Sequence, residues 1–480
     1  MIRMFDVEPD EITSGSIPRA LTFLAVPLVA QNLVQVANLA ADVFWLGRLG
    51  EDAVAAVGLN APIKGVFVSF LMVSLVGTQI LVSQRIGGGN RSGARKAVFH
   101  GLTLAVGTAI AVSLLVGLNA GSIVRLVGAG PEVAPLAATY LSTYLLLYPL
   151  MMASDTLEMG LIGAGDSKAA MYLNFLAIAV NLVLDPLLIY GLWVFPRLEV
   201  AGAALATGLG YTTAMCLAFY FYLGGRDSLS LGRDDVGFDP AEFREMLDIG
   251  APLGGQRLAA QSVRVLVVGI VAVVGGAAGL AAYTVGARIA SIAFVPAHGL
   301  QSAAQSMIGQ NLGADRPARA ALTTWTGVAI ATGLLGLIGA LQWLVPGLLV
   351  DVFMPDASGR AVDLSVQYLT ILAYGYWAIG ATYVLLAGFN GARNTKTSLV
   401  VDLAKYWGVR FPIAVAALPA TYAVGFLGFS VTPGLDWGMA AIFWAVTGSN
   451  IVAAVGVAAY YCYTTSNGML ERAAEAAAAE

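Results

Sequence analysis

The chain has 480 residues, 58% of them hydrophobic and 11% charged, with a mean hydropathy of +0.78. Soluble domains carry about 25% charged residues, so this composition excludes soluble, secreted disulfide-built and disordered classes and leaves a membrane protein. A net charge of −4 and a pI of about 5.3 exclude a nucleic-acid partner, whose phosphates demand a basic face.

A helix rises 1.5 Å per residue, so about 20 apolar residues cross the hydrocarbon core. An acidic leader is expected over 1–17. Beyond it, cutting the chain wherever Gly, Pro and charge interrupt apolar runs predicts twelve spans: 18–46, 53–83, 97–119, 136–162, 168–193, 200–223, 244–274, 279–309, 318–343, 362–389, 397–425 and 437–464. Several exceed the minimum length, which predicts tilt or kinks. Barrel-type alternation is absent, and continuous apolar runs satisfy their backbone in lipid only as helices, so the expected fold is all-α.

Basic residues orient the spans, because Lys and Arg resist translocation. With the N-terminus inside, the inner connections hold fifteen Lys and Arg and the outer ones four, Arg48, Arg125, Arg197 and Arg360. Both termini are then expected in the cytoplasm of a multi-pass cell-membrane protein. The first apolar run is of spanning length and is expected to stay as an anchor rather than to be cleaved.

The chain is written twice. Pro27 and Gln31 realign with Pro252 and Gln256 at an offset of 225, Gln84 and Gly87 with Gln310 and Gly313 at 226, and the stretch Gly163 to Lys168 with Gly391 to Lys396 at 228. Gly202 pairs with Gly438 at 236. Four collinear matches with slowly drifting offset mean duplication, and six spans per half make the repeats parallel. The expected division is a first lobe over 18–224, a charged inner linker over 225–240, a second lobe over 241–465 and a tail over 466–480.

In this order and spacing, Pro27 and Gln31 in the first span, GlyAlaGlyAspSerLys at 163–168, AsnLeuValLeuAspPro at 181–186 and GlyAlaAlaLeuAlaThr at 202–207 resemble the multidrug and toxic compound extrusion (MATE) family, DinF-like branch. The resemblance covers nearly the whole chain. It implies a V-shaped pair of six-helix bundles that exports bulky organic cations in exchange for protons or sodium ions.

A carboxylate at mid-bilayer depth costs a few kcal/mol and needs a partner or a role. Asp42 ends a stripe of Gln31, Gln35, Asn38 and Asp42 spaced four, three and four apart, one face of a helix. Its plainer reading is a cap on the turn at Gly47. Asn181 and Asp185 stack four apart before Pro186, with helix-to-helix hydrogen bonding as their plainer reading. Thr207 adds a hydroxyl. The resemblance carries a cation-coupling site onto Asp42, Asn181, Asp185 and Thr207, with Tyr140 beside them. Two carboxylates, an amide and a hydroxyl suit sodium by their hard oxygens, and suit a proton because neighbouring acids can share one. Gln31, Gln35, Asn38, Tyr140 and Asp155 are candidates to line the substrate cavity. Glu158, near its helix end, is expected to reach inner water by snorkelling, while Asp155 lies deeper.

In the second half the stripe becomes Gln256, Ala260, Val263 and Val267, so the coupling face is erased. That half instead holds Arg257, Arg264, Arg288, Lys405 and Arg410. Asp402 and Lys405, three apart, are expected to pair, and Arg257, Arg264, Lys405 and Arg410 are expected to be structural or electrostatic, since an anchor for a cation is not itself cationic. Arg264, without a sequence-local partner, is expected to pair across the lobe interface or to face a water-filled cavity. Cys216 and Cys462 lack metal or redox spacing and are expected to pack. His298 is expected to pack or line a cavity. The expected protein is a monomeric antiporter surrounded by membrane lipid, with small organic cations as substrates and H+ or Na+ as coupling ion, no other cofactor and no nucleic acid. A lipid-linked-precursor flippase of the same superfamily is the alternative. A membrane enzyme lacks support, for the chain has no HExxH, GxSxG or Walker loop.

Overall fold

The computed structural model describes residues 9–224, 229, 232, 237–354, 359–426 and 429–478. Residues 1–8 of the expected leader, most of the expected 225–240 linker and the last two residues of the tail lie outside them.

The first half comprises α1 (Pro9–Ser14), α2 (Ile17–Gly47), α3 (Glu51–Gly87), α4 (Arg91–Gly117), α5 (Ala120–Leu126), α6 (Val133–Ala164), α7 (Ser167–Tyr190) and α8 (Val200–Leu223). The second comprises α9 (Pro240–Gly313), α10 (Pro317–Leu344), α11 (Pro346–Phe353), α12 (Arg360–Ala373), α13 (Tyr376–Gly391), α14 (Thr395–Leu403), α15 (Phe411–Ala416), α16 (Gly438–Ser466) and α17 (Met469–Ala478). A π-helical segment, Ala404–Arg410, joins α14 to α15, and a two-stranded hairpin follows, β1 (Val424–Phe426) against β2 (Phe429–Val431), with Val424 opposite Val431.

Among the described residues nine helices are long and apolar enough to cross a bilayer, and α12 with α13, bent by 48°, makes a tenth crossing. One of the nine, α9, crosses twice: at Gly276 the backbone takes φ 58° and ψ −153°, which a side chain would resist, and two arms result. The run from α14 through α15 supplies the remaining span. The architecture is thus the expected all-α one, two six-helix bundles forming a V.

Two departures have local causes. The eleventh span, expected to reach 425, ends at Ala416, because Pro419 disfavours helical geometry at Leu418 and the chain turns into the hairpin. The short helices α5 and α11 were not foreseen. They start 226 residues apart, at Ala120 and Pro346, so they too belong to the repeat. The GlyAlaGlyAspSerLys stretch is a helix stop and start: Gly165 closes α6 at φ 91°, and the Asp166 carboxylate caps α7 by accepting from the Ala169 N–H at 2.9 Å.

The bundles meet from the end at Gly87 and Gln310 as far as Gly65 and Gln261, near the middle of their helices. Their shared core joins Leu21, Leu24, Leu28 and Ile162 of the first half to Met307, Ile308, Leu312 and Phe389 of the second. Polar groups there bond reciprocally. Gln84 Nε2 donates to the Gly391 carbonyl at 2.7 Å, and Gln310 Nε2 donates to the Gly163 carbonyl at 2.9 Å. These are the residues that the repeat aligns with one another. Gln305 Nε2 donates to Gln79 Oε1 at 3.0 Å, again repeat partners at an offset of 226. Around this seal Arg85 pairs with Glu242 at 2.8 Å and Glu245 at 3.0 Å, and Arg393 pairs with Glu245. Toward the other end α2 loses its cover: apart from Leu46, none of its residues beyond Gln31 is buried.

The seal requires glycine. A Cβ on Gly313 would fall 1.8 Å from the Gln84 carbonyl oxygen, and one on Gly87 would fall 2.0 Å from that of Gln310. Backbone cannot rotate away, so Gly313→Ala should cost at least about 1–3 kcal/mol and lower the thermal unfolding midpoint in detergent. Gly58→Ala, where a Cβ meets open space, should not lower it.

Candidate functional site

The carboxyls of Asp42 on α2 and Asp185 on α7 lie within hydrogen-bonding reach of each other. Such a bond needs a proton on one of them. Asn181 stands at the centre. With its amide nitrogen toward its own helix it donates to Asp185 Oδ1 at 3.3 Å and Thr207 Oγ1 at 3.4 Å. Turned over, it donates to Asn38 Oδ1 at 2.8 Å and Asp42 Oδ1 at 3.2 Å, while its oxygen accepts from the Thr207 N–H at 3.1 Å. The second orientation satisfies both ends of the amide. Asn181, Asp185 and the Thr207 backbone sit against one another because α7 and α8 pack closely: a Cβ on Gly210 would meet the Ala177 carbonyl at 2.4 Å. Asp185 Oδ2 is buried and, apart from a proton shared with Asp42, has no donor among the described residues.

The structure thus brings Asn38, Asp42, Asn181, Asp185 and Thr207 together and sets Tyr140 beside both acids. It separates the rest of the α2 stripe. Gln35 Nε2 donates to the Tyr211 hydroxyl at 3.4 Å. Gln31, eleven residues and about 16 Å before Asp42, donates from Nε2 to Glu158 Oε1 at 2.9 Å. Asn174 Nδ2 donates to the other carboxylate oxygen of Glu158 at 2.6 Å. Glu158 therefore does not snorkel. It is 6% exposed and is held inside by two amides, a cheaper solution than stretching past packed helices. Asp155 is half-buried, without a hydrogen bond among the described residues, and within electrostatic range of Tyr144, Tyr148 and Tyr211.

Lys64 is the residue that sequence reading passed over. Its Nζ donates to the Tyr140 hydroxyl at 3.1 Å, lies 5.0 and 4.9 Å from the Tyr140 and Tyr144 ring centres, and acts electrostatically on Asp42. A lone lysine in an apolar span was the available signal. The spacing of Tyr140, Tyr144 and Tyr148, four apart and ring to ring in the structure, was another.

Elsewhere Lys405 pairs with Asp402 at 3.0 Å as expected. Arg410 is held by the Ser449 hydroxyl at 3.0 Å and by the Val446 carbonyl and Asn450 Oδ1, both at 3.2 Å. His298 stands edge-on to Tyr383 at 4.8 Å. Cys216 and Cys462, expected to pack, are exposed free thiols on the outer faces of their helices. Among the described residues no three His, Cys, Asp or Glu side chains gather. The donors of the Asp42 cluster, carboxyl, amide and hydroxyl oxygens, are hard ones.

Two duplicated six-helix bundles, closed at one end around a buried polar cluster, make a multi-pass membrane protein. The sequence profile of the MatE family matches residues 27–187 and again 252–416, starting at the prolines that the repeat aligns, and the chain belongs to that family. It is 29% identical to a probable multidrug resistance protein NorM of Pseudomonas aeruginosa over 93% of this chain and 90% of that protein. It is 26% identical to a FAD transporter of Shewanella oneidensis, over 84% and 88% respectively. In fold it matches a MOP-superfamily transporter from Pyrococcus furiosus with a TM-score of 0.87, at 22% identity, over 96% of this chain and 99% of that one. An outward-facing multidrug resistance MATE transporter matches equally, at 0.87 and 22%, over 96% and 98%.

The two acids of the inner part of the lobe differ in what they can lose. Glu158→Gln removes one acceptor and strands a buried amide of Gln31 or Asn174, so it should cost about 1–3 kcal/mol. Asp155→Asn has no hydrogen bond to break and should leave the unfolding midpoint in place. Equal shifts for the two would contradict this reading.

Proposed function

We propose that the chain is a secondary antiporter that exports small, mostly cationic organic compounds in exchange for protons or sodium ions, coupled through Asp42 and Asp185. The carrying observation is the pair of carboxyls from two helices that share Asn181 inside an apolar bundle. Thr207 lends backbone and hydroxyl to the same cluster, and Tyr140 borders it. Gln31, Gln35, Asn38 and Asp155 line the path from this cluster toward the seal. Charge does not choose between the ions: with Lys64 offsetting one carboxylate, one proton or one sodium ion equally leaves the cluster neutral. The proton is favoured because the Asp42 and Asp185 carboxyls lie within hydrogen-bonding reach of each other, and that bond needs a proton on one of them. The flippase alternative has no support in the family match.

The lobes are taken as 18–224 and 241–465, joined by the 225–240 linker and working as a monomer in the lipid of the cell membrane. With both termini cytoplasmic, the seal of Gln84 and Gln310 closes the cytoplasmic side and the cleft faces outward. Neutralising Asp42 shifts the balance between this state and its inward-facing counterpart, since an ion can move such an equilibrium only through different affinities for the two states. Pro27, which leaves a carbonyl of its own helix without a donor, is the bending point of α2.

In reconstituted vesicles Asp42→Asn and Asp185→Asn should each yield folded protein that no longer expels a fluorescent cation when a gradient is imposed. Full gradient-driven efflux by either variant would refute the role given to that residue. Wild-type efflux should persist under a proton gradient without sodium; efflux only under a sodium gradient would reverse the choice of ion.

A further inference from the structure

The second lobe has a polar centre of opposite sign. Two of its cations are satisfied internally, Lys405 by Asp402 and Arg410 by α16. Arg257 and Arg264 are not. Arg257 has no hydrogen bond or ion pair among the described residues, and Arg264 reaches only Gln261 Oε1, at 3.5 Å, the limit of such a bond. Both are exposed, near the middle of the first arm of α9. A guanidinium facing hydrocarbon at that depth costs about 2.5–3.5 kcal/mol or more, so these two face water.

Helical spacing identifies which water. Arg257, Gln261 and Arg264 follow at intervals of four and three and form one stripe. Nearer the seal the same face packs against α3: a Cβ on Gly250 would meet Val73 at 2.4 Å, one on Gly254 the Ser69 carbonyl at 2.6 Å, and Gln261 Nε2 lies against Gly65. On one side of the stripe lie the core residues Val263, Val267 and Val271. Val265 and Leu266, also exposed, project about 100° and 200° round the helix from Arg264. The arginines therefore look into the groove between the two lobes. The groups around them are aromatic and basic. Arg257 acts on His298, and Arg264 acts with Arg410 on Tyr283 and Tyr368, with no carboxylate among these neighbours. Asp402, the carboxylate near Tyr383, is already taken by Lys405 and by Gln256 Nε2 at 2.8 Å. The π-helical segment, a distortion that recurs at functional sites, turns Tyr406 between Lys405 and Arg410, whose charged groups stand 4.4 and 4.6 Å from its ring centre.

We propose that Arg257 and Arg264 form an anion-binding subsite on the second-lobe wall of the cleft, which takes the oxyanion of a carboxylate- or phosphate-bearing aromatic compound. Free guanidinium forks bind such groups by charge-assisted paired hydrogen bonds. The two lie about 10.5 Å apart along the helix, so they flank an oxyanion from two sides with Gln261 between them, and the tyrosines supply ring faces for the aromatic part. With the acidic cluster across the cleft, the protein holds a zwitterion by both ends. This rests on the antiporter reading only in placing the groove on the cargo path.

The test is equilibrium binding to the full chain in phosphatidylcholine nanodiscs, with no gradient, so a failure of antiport and a failure of this site are separable. Radiolabelled 1-naphthyl phosphate should bind about tenfold or more tightly than its uncharged parent 1-naphthol. Arg257→Gln and Arg264→Gln should each remove that difference, Arg264→Lys should restore part of it, and Arg48→Gln, on the other lobe with its guanidinium 4.4 Å from the Phe44 ring centre, should not change it. In the wild-type protein 1-naphthyl phosphate should shield both arginines from phenylglyoxal, read by mass spectrometry, a measurement that needs no variant to fold. Equal affinity for the two naphthyl compounds, or undiminished modification of both arginines at saturation, would overturn the proposal. So would loss of binding in phosphatidylglycerol discs, which would assign the site to a lipid headgroup.

Discussion

Two hydrogen bonds, Gln84 to the Gly391 carbonyl and Gln310 to the Gly163 carbonyl, hold the halves of this molecule in register. Both acceptors lie in the last turn of a helix, where carbonyls have no partner along the chain. In a dry interface each such group costs free energy unless something donates to it. Each lobe supplies the donor for the other, and each donor stands in the repeat where its counterpart stands. A duplicated sequence closes on itself through one motif used twice, and the glycines at 87 and 313 let the backbones approach closely enough for it to work. Because the contact stops near the middle of the helices, the other end opens, and the V follows.

On this symmetric frame the chemistry is unequal. Gln31 and Gln256 are repeat partners, and each donates to a buried carboxylate, at 2.9 and 2.8 Å. The carboxylates differ in origin. Asp402 stands where the repeat, at its offset of 228, places Asn174 in the first half, and the counterpart of Glu158 is Leu386. The first lobe keeps its acid between two amides and leaves Asp42 and Asp185 beyond it. The second spends its acid on Lys405 and has Val409 and Ile413 where the first has Asn181 and Asp185. Duplication has preserved the packing contacts and freed one polar face to lose its acids while arginines accumulated on the next.

What the sequence made legible follows from what lipid demands. Every backbone group in hydrocarbon must bond within its own helix, so span number, duplication and fold class could be read from apolar run length and spacing alone. Asp42, Asn181 and Asp185 stood out because each breaks an apolar pattern, whereas their grouping with Thr207 came from the family resemblance and not from any local pattern. Glu158 was misjudged because its partners are Gln31 and Asn174, the first 127 residues away, and no local pattern announces such a bond. Lys64 was passed over for a related reason: its partner Tyr140 is 76 residues on. The hairpin after Ala416 and the π-helical segment lie in a stretch whose apolar composition reads as continuous helix, and only Pro419 hinted otherwise.

The two halves of α2 do different work, and Pro27 lies where they begin to part. Up to Gln31 the helix is packed into the core that the lobes share, and beyond it only Leu46 is buried. The polar stripe that reaches Asp42 belongs almost entirely to the uncovered half. Moving that half breaks few apolar contacts, whereas moving the first half breaks into the seal. Proline lowers the cost of a bend by removing an intrahelical bond in advance. In the proposed cycle a change of charge at Asp42 therefore acts on the least anchored part of the helix, through Asn38 and Asn181, while the cytoplasmic seal holds. The seal opens when the rest of the cleft has closed over its cargo, because the same few kcal/mol cannot disrupt both ends at once and leave the lobes joined.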